Sequence, residues 1–185
     1  MDATPHAASL IEGHRDFGYN LETALADIID NAITAGARNL ALVADTVTEN
    51  PWIALSDDGS GMSEKELIEA MRLGSKNPTE KRLKEDLGRF GLGLKSASFS
   101  QCRSLTVLTR KDSNTSCARW NLDRVVKRND WNLELIDNPD TVIGNDLLKE
   151  RGTVVIWENL DRLYGGYTNE PHKRTEHMNS ELTRA

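Results

Sequence analysis

The chain has 185 residues, 38% of them hydrophobic and 28% charged. At roughly 150 residues per domain, that length holds one domain with an extension. A net charge of −6, two cysteines and no run of about 18 apolar residues exclude three classes: a chain that binds nucleic acid by bulk charge, a cystine-stapled scaffold and a membrane-spanning helix.

The opening MDATPHAASL lacks the basic-then-apolar order of a signal peptide. With Cys102 and Cys117 alone, a reducing, cytoplasmic setting is expected, in which the Asn114-Thr115-Ser116 sequon is a chance match. The charge is uneven along the chain. Residues 1–71 carry 13 acids against 3 bases, residues 72–95 carry 7 bases against 3 acids, and residues 96–185 carry 13 of each. The basic stretch from Arg72 to Lys95 taken alone reads as a solvated loop.

In chain order, Leu21, Ala24, Leu25, Ile28, Ile29, Ala32 and Ile33 recur at helical spacing. Asn20 caps that helix and Gly36 stops it. Residues 39–44 and 52–56 read as two short strands around Pro51. Ser63 to Glu66 is a capping box that opens a helix running to about Leu73. Residues 74–86 are polar and read as a loop. Residues 88–100 begin glycine-rich and end helical. Strands are expected at 104–109, 116–121, 131–136 and 153–158, and residues 166–185 read as a tail without period. Helices first, then strands, predict an α+β layer with helices on one face of a largely antiparallel sheet.

Three stretches concentrate chemistry. Asp27 and Asn31 lie four apart on the first of these helices and project side by side. A carboxylate and an amide there suit a water and a hard cation such as Mg²⁺; a solvated polar face is the plain alternative. Asp57-Asp58-Gly59-Ser60-Gly61-Met62 follows a strand. It reads either as a turn or as a place where a ligand meets backbone, a carboxylate that accepts from an exocyclic amine, and a soft Met surface for a flat ring. Gly88-Arg89-Phe90-Gly91-Leu92-Gly93-Leu94-Lys95-Ser96 opens a helix with three glycines. Such an N-terminus favours phosphate. It is not a P-loop, because Leu94 separates Gly93 from Lys95, and it lacks the third glycine of a Rossmann fingerprint. A tight loop-to-helix turn is the alternative.

In this order and at these distances, the three resemble the GHKL superfamily of ATPases, which includes gyrase B subunits, ninety-kilodalton heat-shock chaperones, histidine kinases and MutL. LADIIDNAITAGA resembles the N-box, DDGSGM the G1 box and GRFGLGLKSAS the G2 box, and Gly152-Thr153 the late Gly-Thr. The IDNA and GLGLKSAS wording is similar to the Microrchidia-like branch.

The resemblance covers roughly residues 17–160 and implies a Bergerat fold, a two-layer sandwich with a mixed, largely antiparallel sheet. It implies residues 1–16 as an N-terminal segment, 17–165 as the ATP-binding domain, and 166–185 as a tail or the start of a following domain. It implies ATP and Mg²⁺ as cofactors. Asn31 would bind the metal, Asp57 the adenine amino group, and Gly59, Gly61 and Met62 would shape the adenine pocket. Gly88, Arg89, Phe90, Gly91, Leu92, Gly93 and Leu94 would form the phosphate loop, with Lys95 and Ser96 beside it. Thr153 would sit behind the adenine, and residues 74–87 would be the ATP lid.

Asp27 would be the general base. Hydrolytic members usually carry Glu there, so this base is one methylene shorter, and slow hydrolysis is expected. The resemblance further implies an ATP-dependent homodimer, exchange of residues 4–19 between subunits, and a following transducer domain that supplies a lysine. No such domain is legible after residue 165, so a piece of a longer protein is expected. Neither nucleic acid nor membrane is indicated as a partner. Two other readings stand beside an ATPase: an ATP-gated binding module without hydrolysis, and a histidine kinase catalytic domain. The second needs a phospho-accepting histidine on a dimerising helix, whereas His6, His14, His172 and His177 read as surface histidines outside sustained helical periods.

Overall fold

The computed structural model describes residues 6–16, 19–73 and 93–185. The expected lid at 74–87 and the expected phosphate-loop residues Gly88, Arg89, Phe90, Gly91 and Leu92 lie outside the described residues.

The chain opens with α1 (Ala7–Arg15) and α2 (Leu21–Thr34), then β1 (Leu40–Asp45) and β2 (Trp52–Asp57). It continues with α3 (Glu64–Met71), α4 (Gly93–Gln101), β3 (Ser104–Lys111), β4 (Asn114–Asn121) and α5 (Leu122–Arg128). The short β5 (Glu134–Leu135), two 3₁₀ turns, β6 (Gly152–Glu158), a third 3₁₀ turn and α6 (Pro171–Arg184) complete it.

The strands form one sheet in the order β1-β2-β6-β3-β4-β5, and every pairing among the described strands is antiparallel. β6, late in the sequence, thus inserts between β2 and β3, which places Thr153 opposite Asp57 on one side and Thr109 on the other. Side chains alternate across the sheet. Ile53, Leu55, Leu105, Val107, Ala118, Trp120, Val155 and Trp157 join the main core, with Leu21, Leu25 and Ile28 of α2 and Phe99 of α4. Each such large side chain contributes about 1.5–3 kcal/mol by leaving water. Ala54, Leu108, Cys117, Val154 and Ile156 point the other way, where Val142 and Leu148 cover them. The result is an α+β two-layer sandwich whose second face is closed by the segment between β5 and β6.

Local signals explain the elements. Asn20 Oδ1 accepts from Thr23 N and starts α2. Ser63 and Glu66 form the capping box of α3. The α2 stripe is buried at Leu21, Ala24, Leu25, Ile28 and Ala32, whereas Ile33 is 52% exposed.

Four expectations change. α1 forms where no sustained period is legible: its inner stripe is Ala7, Ile11 and Arg15, so a buried arginine interrupts the apolar signal. That arginine donates to Phe99 O at 2.8 Å and pairs with Asp161. α6 replaces the expected tail, with Arg174 and Met178 as its buried residues. α5 also forms where no helix is expected; only Leu122 and Val125 of its two turns are buried, too few for a legible period. The expected strand at 131–136 shrinks to two residues, because Trp131 leaves the ladder to pack edge-on against Trp120, ring centroids 6.5 Å apart.

Candidate nucleotide site

α2 is the spine of the site. Asp27 lies mid-helix and faces the start of α4: a Cβ built on Gly93 would stand 3.4 Å from Asp27 Oδ2. Tyr19 donates its hydroxyl to the same oxygen at 2.9 Å. Asn31, one turn on, donates Nδ2 to Asp27 O at 2.8 Å. That commitment of Nδ2 leaves Oδ1 as the side chain's acceptor.

The far end of α2 meets the loop after β2. Ser60 N donates to Ala35 O, and a Cβ on Gly59 would lie 2.9 Å from Ala35 Cβ. Glycine at 59 is therefore required by close approach. Asp27 and Ala35 are eight residues apart, about 12 Å along the axis.

The two acids of this loop have different work. Asp58 accepts from Arg38 N, Asn39 N and Asn39 Nδ2, at 2.7–2.9 Å. The Asn39 amide and these backbone donors hold its carboxyl down at about 2. Asp58 is a strut that clamps the α2–β1 connection onto β2. Asp57 is 6% exposed and points to the helix side. Burial pushes its carboxyl above the usual range, against the opposing hydrogen bonds from Gly59 N and Thr153 N. It is a buried acceptor poised at the end of a strand.

Thr109 is a member that sequence reasoning missed. Its hydroxyl lies 3.0 Å from Gly152 O and 3.2 Å from Thr153 Oγ1, and it accepts from Met62 N at 2.9 Å. With its one proton given to Gly152 O, Thr109 must accept from Thr153. This single side chain ties β3, β6 and the loop carrying Met62. The only sequence signal was its place as the last inward position in Leu105-x-Val107-x-Thr109. Gly61, at φ +64, sits where a Cβ would lie 2.0 Å from Arg110 O.

Gly93 and Leu94 open α4, whose first turn also holds Lys95 and Ser96. Lys95 is 1% exposed and donates Nζ to Ala70 O at 2.7 Å, near the end of α3. Ser96 Oγ lies 2.8 Å from His14 Nε2. His14 thus departs from the surface histidine expected. It is a half-buried member of α1, and burial, then Lys95, lowers its affinity for a proton. His172 and His177 are also helical, in α6, while His6 flanks α1.

The profile of the histidine kinase-, DNA gyrase B- and HSP90-like ATPases matches residues 19–152. The chain belongs to this family. At the level of the family, its chemistry is the binding and hydrolysis of ATP. Among curated proteins the chain is similar to ATPase morc-1 of Caenorhabditis elegans, 34% identical over 90 residues, which is 49% of this chain and 10% of that protein. It is also similar to MORC family CW-type zinc finger protein 1 of Mus musculus, 32% identical over 97 residues, 51% of this chain and 10% of the other. ATPase MORC2B of Mus musculus is 31% identical over 99 residues, 51% of this chain and 9% of its own. These matches support the Microrchidia-like resemblance within the family. The aligned stretch spans about a tenth of the relatives' length. No helix among the described residues is long and apolar enough to cross a membrane.

Proposed function

We propose that the chain is a Mg²⁺-dependent ATP-binding domain that hydrolyses ATP slowly, with Asp57 reading the base and Asp27 activating water. The observation that carries this reading is the arrangement along one helix. A buried carboxylate, Asp57, stands beside its far end, and a second carboxylate, Asp27, faces the start of α4 from mid-helix.

Asp57 accepts from the exocyclic amine of adenine and repels the carbonyl oxygen that guanine places there. Gly59 and Gly61 let the loop pack closely on Ala35 and on Arg110 O and so shape the base pocket, Met62 gives the base a polarizable surface, and Thr153 lies behind it. Gly88 to Leu92, with Gly93 and Leu94, take the phosphates, and Lys95 and Ser96 fix the first turn beneath them. A hard cation fits the donor set. Asn31 Oδ1 would be an oxygen ligand, which suits Mg²⁺, an ion that takes few protein ligands and leans on substrate phosphates. When bound, the ion neutralises phosphate charge. Asp27 takes the proton of the attacking water, whose oxygen bonds to the terminal phosphorus as the bond to the bridging oxygen breaks. ADP and inorganic phosphate leave. Lys76, Lys81, Arg82 and Lys84 bring positive charge to the triphosphate as residues 74–87 close, and closure favours a dimer of a larger protein.

Calorimetry with ATP and GTP, with and without Mg²⁺, tests the binding half. ATP is expected to bind more tightly than GTP, and Asn31→Ala to weaken Mg²⁺–ATP more than metal-free ATP. Equal affinities for the two nucleotides count against the adenine pocket. Phosphate release by the wild type and by Asp27→Asn tests the chemistry. Binding without release leaves an ATP-gated module.

A further inference from the structure

No motif singles out Tyr19, yet it is held at three points. Its ring packs against the main core. Its backbone carbonyl accepts from Gln101 Nε2 at 3.1 Å, and Gln101 is itself 3% exposed. Its hydroxyl donates to Asp27 Oδ2 at 2.9 Å. Gln101 closes the same helix, α4, whose first residue stands against that Asp27 oxygen. The phenol is therefore fixed from the end of α4, and the carboxylate is fixed beside its beginning.

A carboxylate on a helix surface ordinarily samples several rotamers. A general base must first be in reach of its proton, and a displacement of about 1 Å costs on the order of a hundredfold in rate. A phenol that donates to one carboxylate oxygen restricts the side chain to the rotamers that keep the bond. We propose that Tyr19 is the positioning residue for Asp27, its hydroxyl holding Oδ2 against the start of α4 so that the carboxylate meets the attacking water in one orientation. This rests on the reading of Asp27 as the base. Burial, and then the Asp27 carboxylate, raises the phenol's affinity for its proton, so the donor persists across working pH.

The test separates positioning from mere packing. Tyr19→Phe removes only the hydroxyl and keeps the ring in the core. Its kcat for ATP is expected to fall about tenfold, with KM within about twofold. In an Asp27→Asn background the same change is expected to cost nothing further, because the effect runs through the carboxylate. A second readout needs no turnover. The protein has three tyrosines, and with tyrosine labelled at Cζ the Tyr19 resonance is expected to titrate later than a free phenol, and earlier in Asp27→Asn. Wild-type kcat in Tyr19→Phe with Asp27→Asn inactive overturns the positioning role alone. So does a Tyr19 titration indifferent to Asp27→Asn, or an equal rate loss in both backgrounds. Full hydrolysis by Asp27→Asn, or no hydrolysis by the wild type, overturns the base and Tyr19's role with it.

Discussion

Adjacent carboxylates in one loop carry opposite energetics. Asp57 is buried and its carboxyl is raised, so the folded chain binds its proton more tightly than the unfolded chain does. Stability from this group therefore falls as pH climbs from the ordinary value, about 3.9, through the raised one. Asp57→Asn removes that penalty. Its melting temperature at pH 7 is expected to match or exceed the wild type, while ATP affinity drops roughly ten- to a hundredfold for the loss of one charge-assisted hydrogen bond. Calorimetry and a thermal melt on the same sample check both halves. Asp58 behaves in the reverse sense. Its carboxyl is held at about 2, so its contribution is complete above about 3.9 and is lost as pH falls through the lowered value. Asp58→Ala is expected to melt below the wild type at pH 7, with the gap narrowing between pH 4 and about 2.

At the scale of elements, the connections into the site are set by backbone contact rather than by side-chain burial. Gly61 and Gly36 both have positive φ, but only Gly61 has another strand's carbonyl where a Cβ would go. Gly36→Ala meets nothing within 4 Å, so it is expected to lose only the left-handed penalty of about 1–2 kcal/mol. Gly61→Ala must also push β3 or the loop aside. It is expected to lose more than Gly36→Ala in a urea titration, and to weaken ATP binding as Met62 leaves Thr109. A milder loss at Gly61 than at Gly36 contradicts this packing. α3 is anchored on the same sheet by Trp120 Nε1 donating to Met71 O at 2.9 Å. Lys111 adds an exposed pair with Glu66, which contributes little by comparison.

For the whole molecule, α1 is docked on its own chain. Ala7 and Ile11 are each 1% exposed, Arg15 reaches Phe99 O and Asp161, and Arg103 bridges Glu12 and Asp123. An exchange of residues 4–19 between subunits has to release all of these contacts. The nucleotide-free chain is therefore expected to be monomeric, with amides of α1 protected from hydrogen exchange. Arg15→Ala, which strips a buried carbonyl and a carboxylate of their donor, is expected to lose about 1–3 kcal/mol and that protection. A non-hydrolysable ATP analogue with Mg²⁺ is expected to raise the scattering mass to a dimer. A monomer at high protein concentration sinks the gating proposal for this chain.

The sequence by itself determined the parts that rest on local rules. The α2 stripe, its Asn20 cap, the Ser63–Glu66 box, the alternation in β2, β3 and β6, and the spacing of LADIIDNA, DDGSGM and GLGLKSAS were all legible, because period, cap and motif are properties of neighbouring residues. The antiparallel α+β layer followed from the same signals. Tertiary structure decided the rest. The resemblance singled out Asp57, but only strand register turned it to the core and left Asp58 to clamp Arg38 and Asn39. Thr109 entered the site because β6 inserts beside β3, and Tyr19 met Asp27 because Gln101, 82 residues away, fixes its backbone. α1 and α6 are not legible in the sequence because each buries an arginine in its inner stripe. A charge at a core position breaks the apolar period, and only long-range partners such as Asp161 and Thr48 O make that burial affordable.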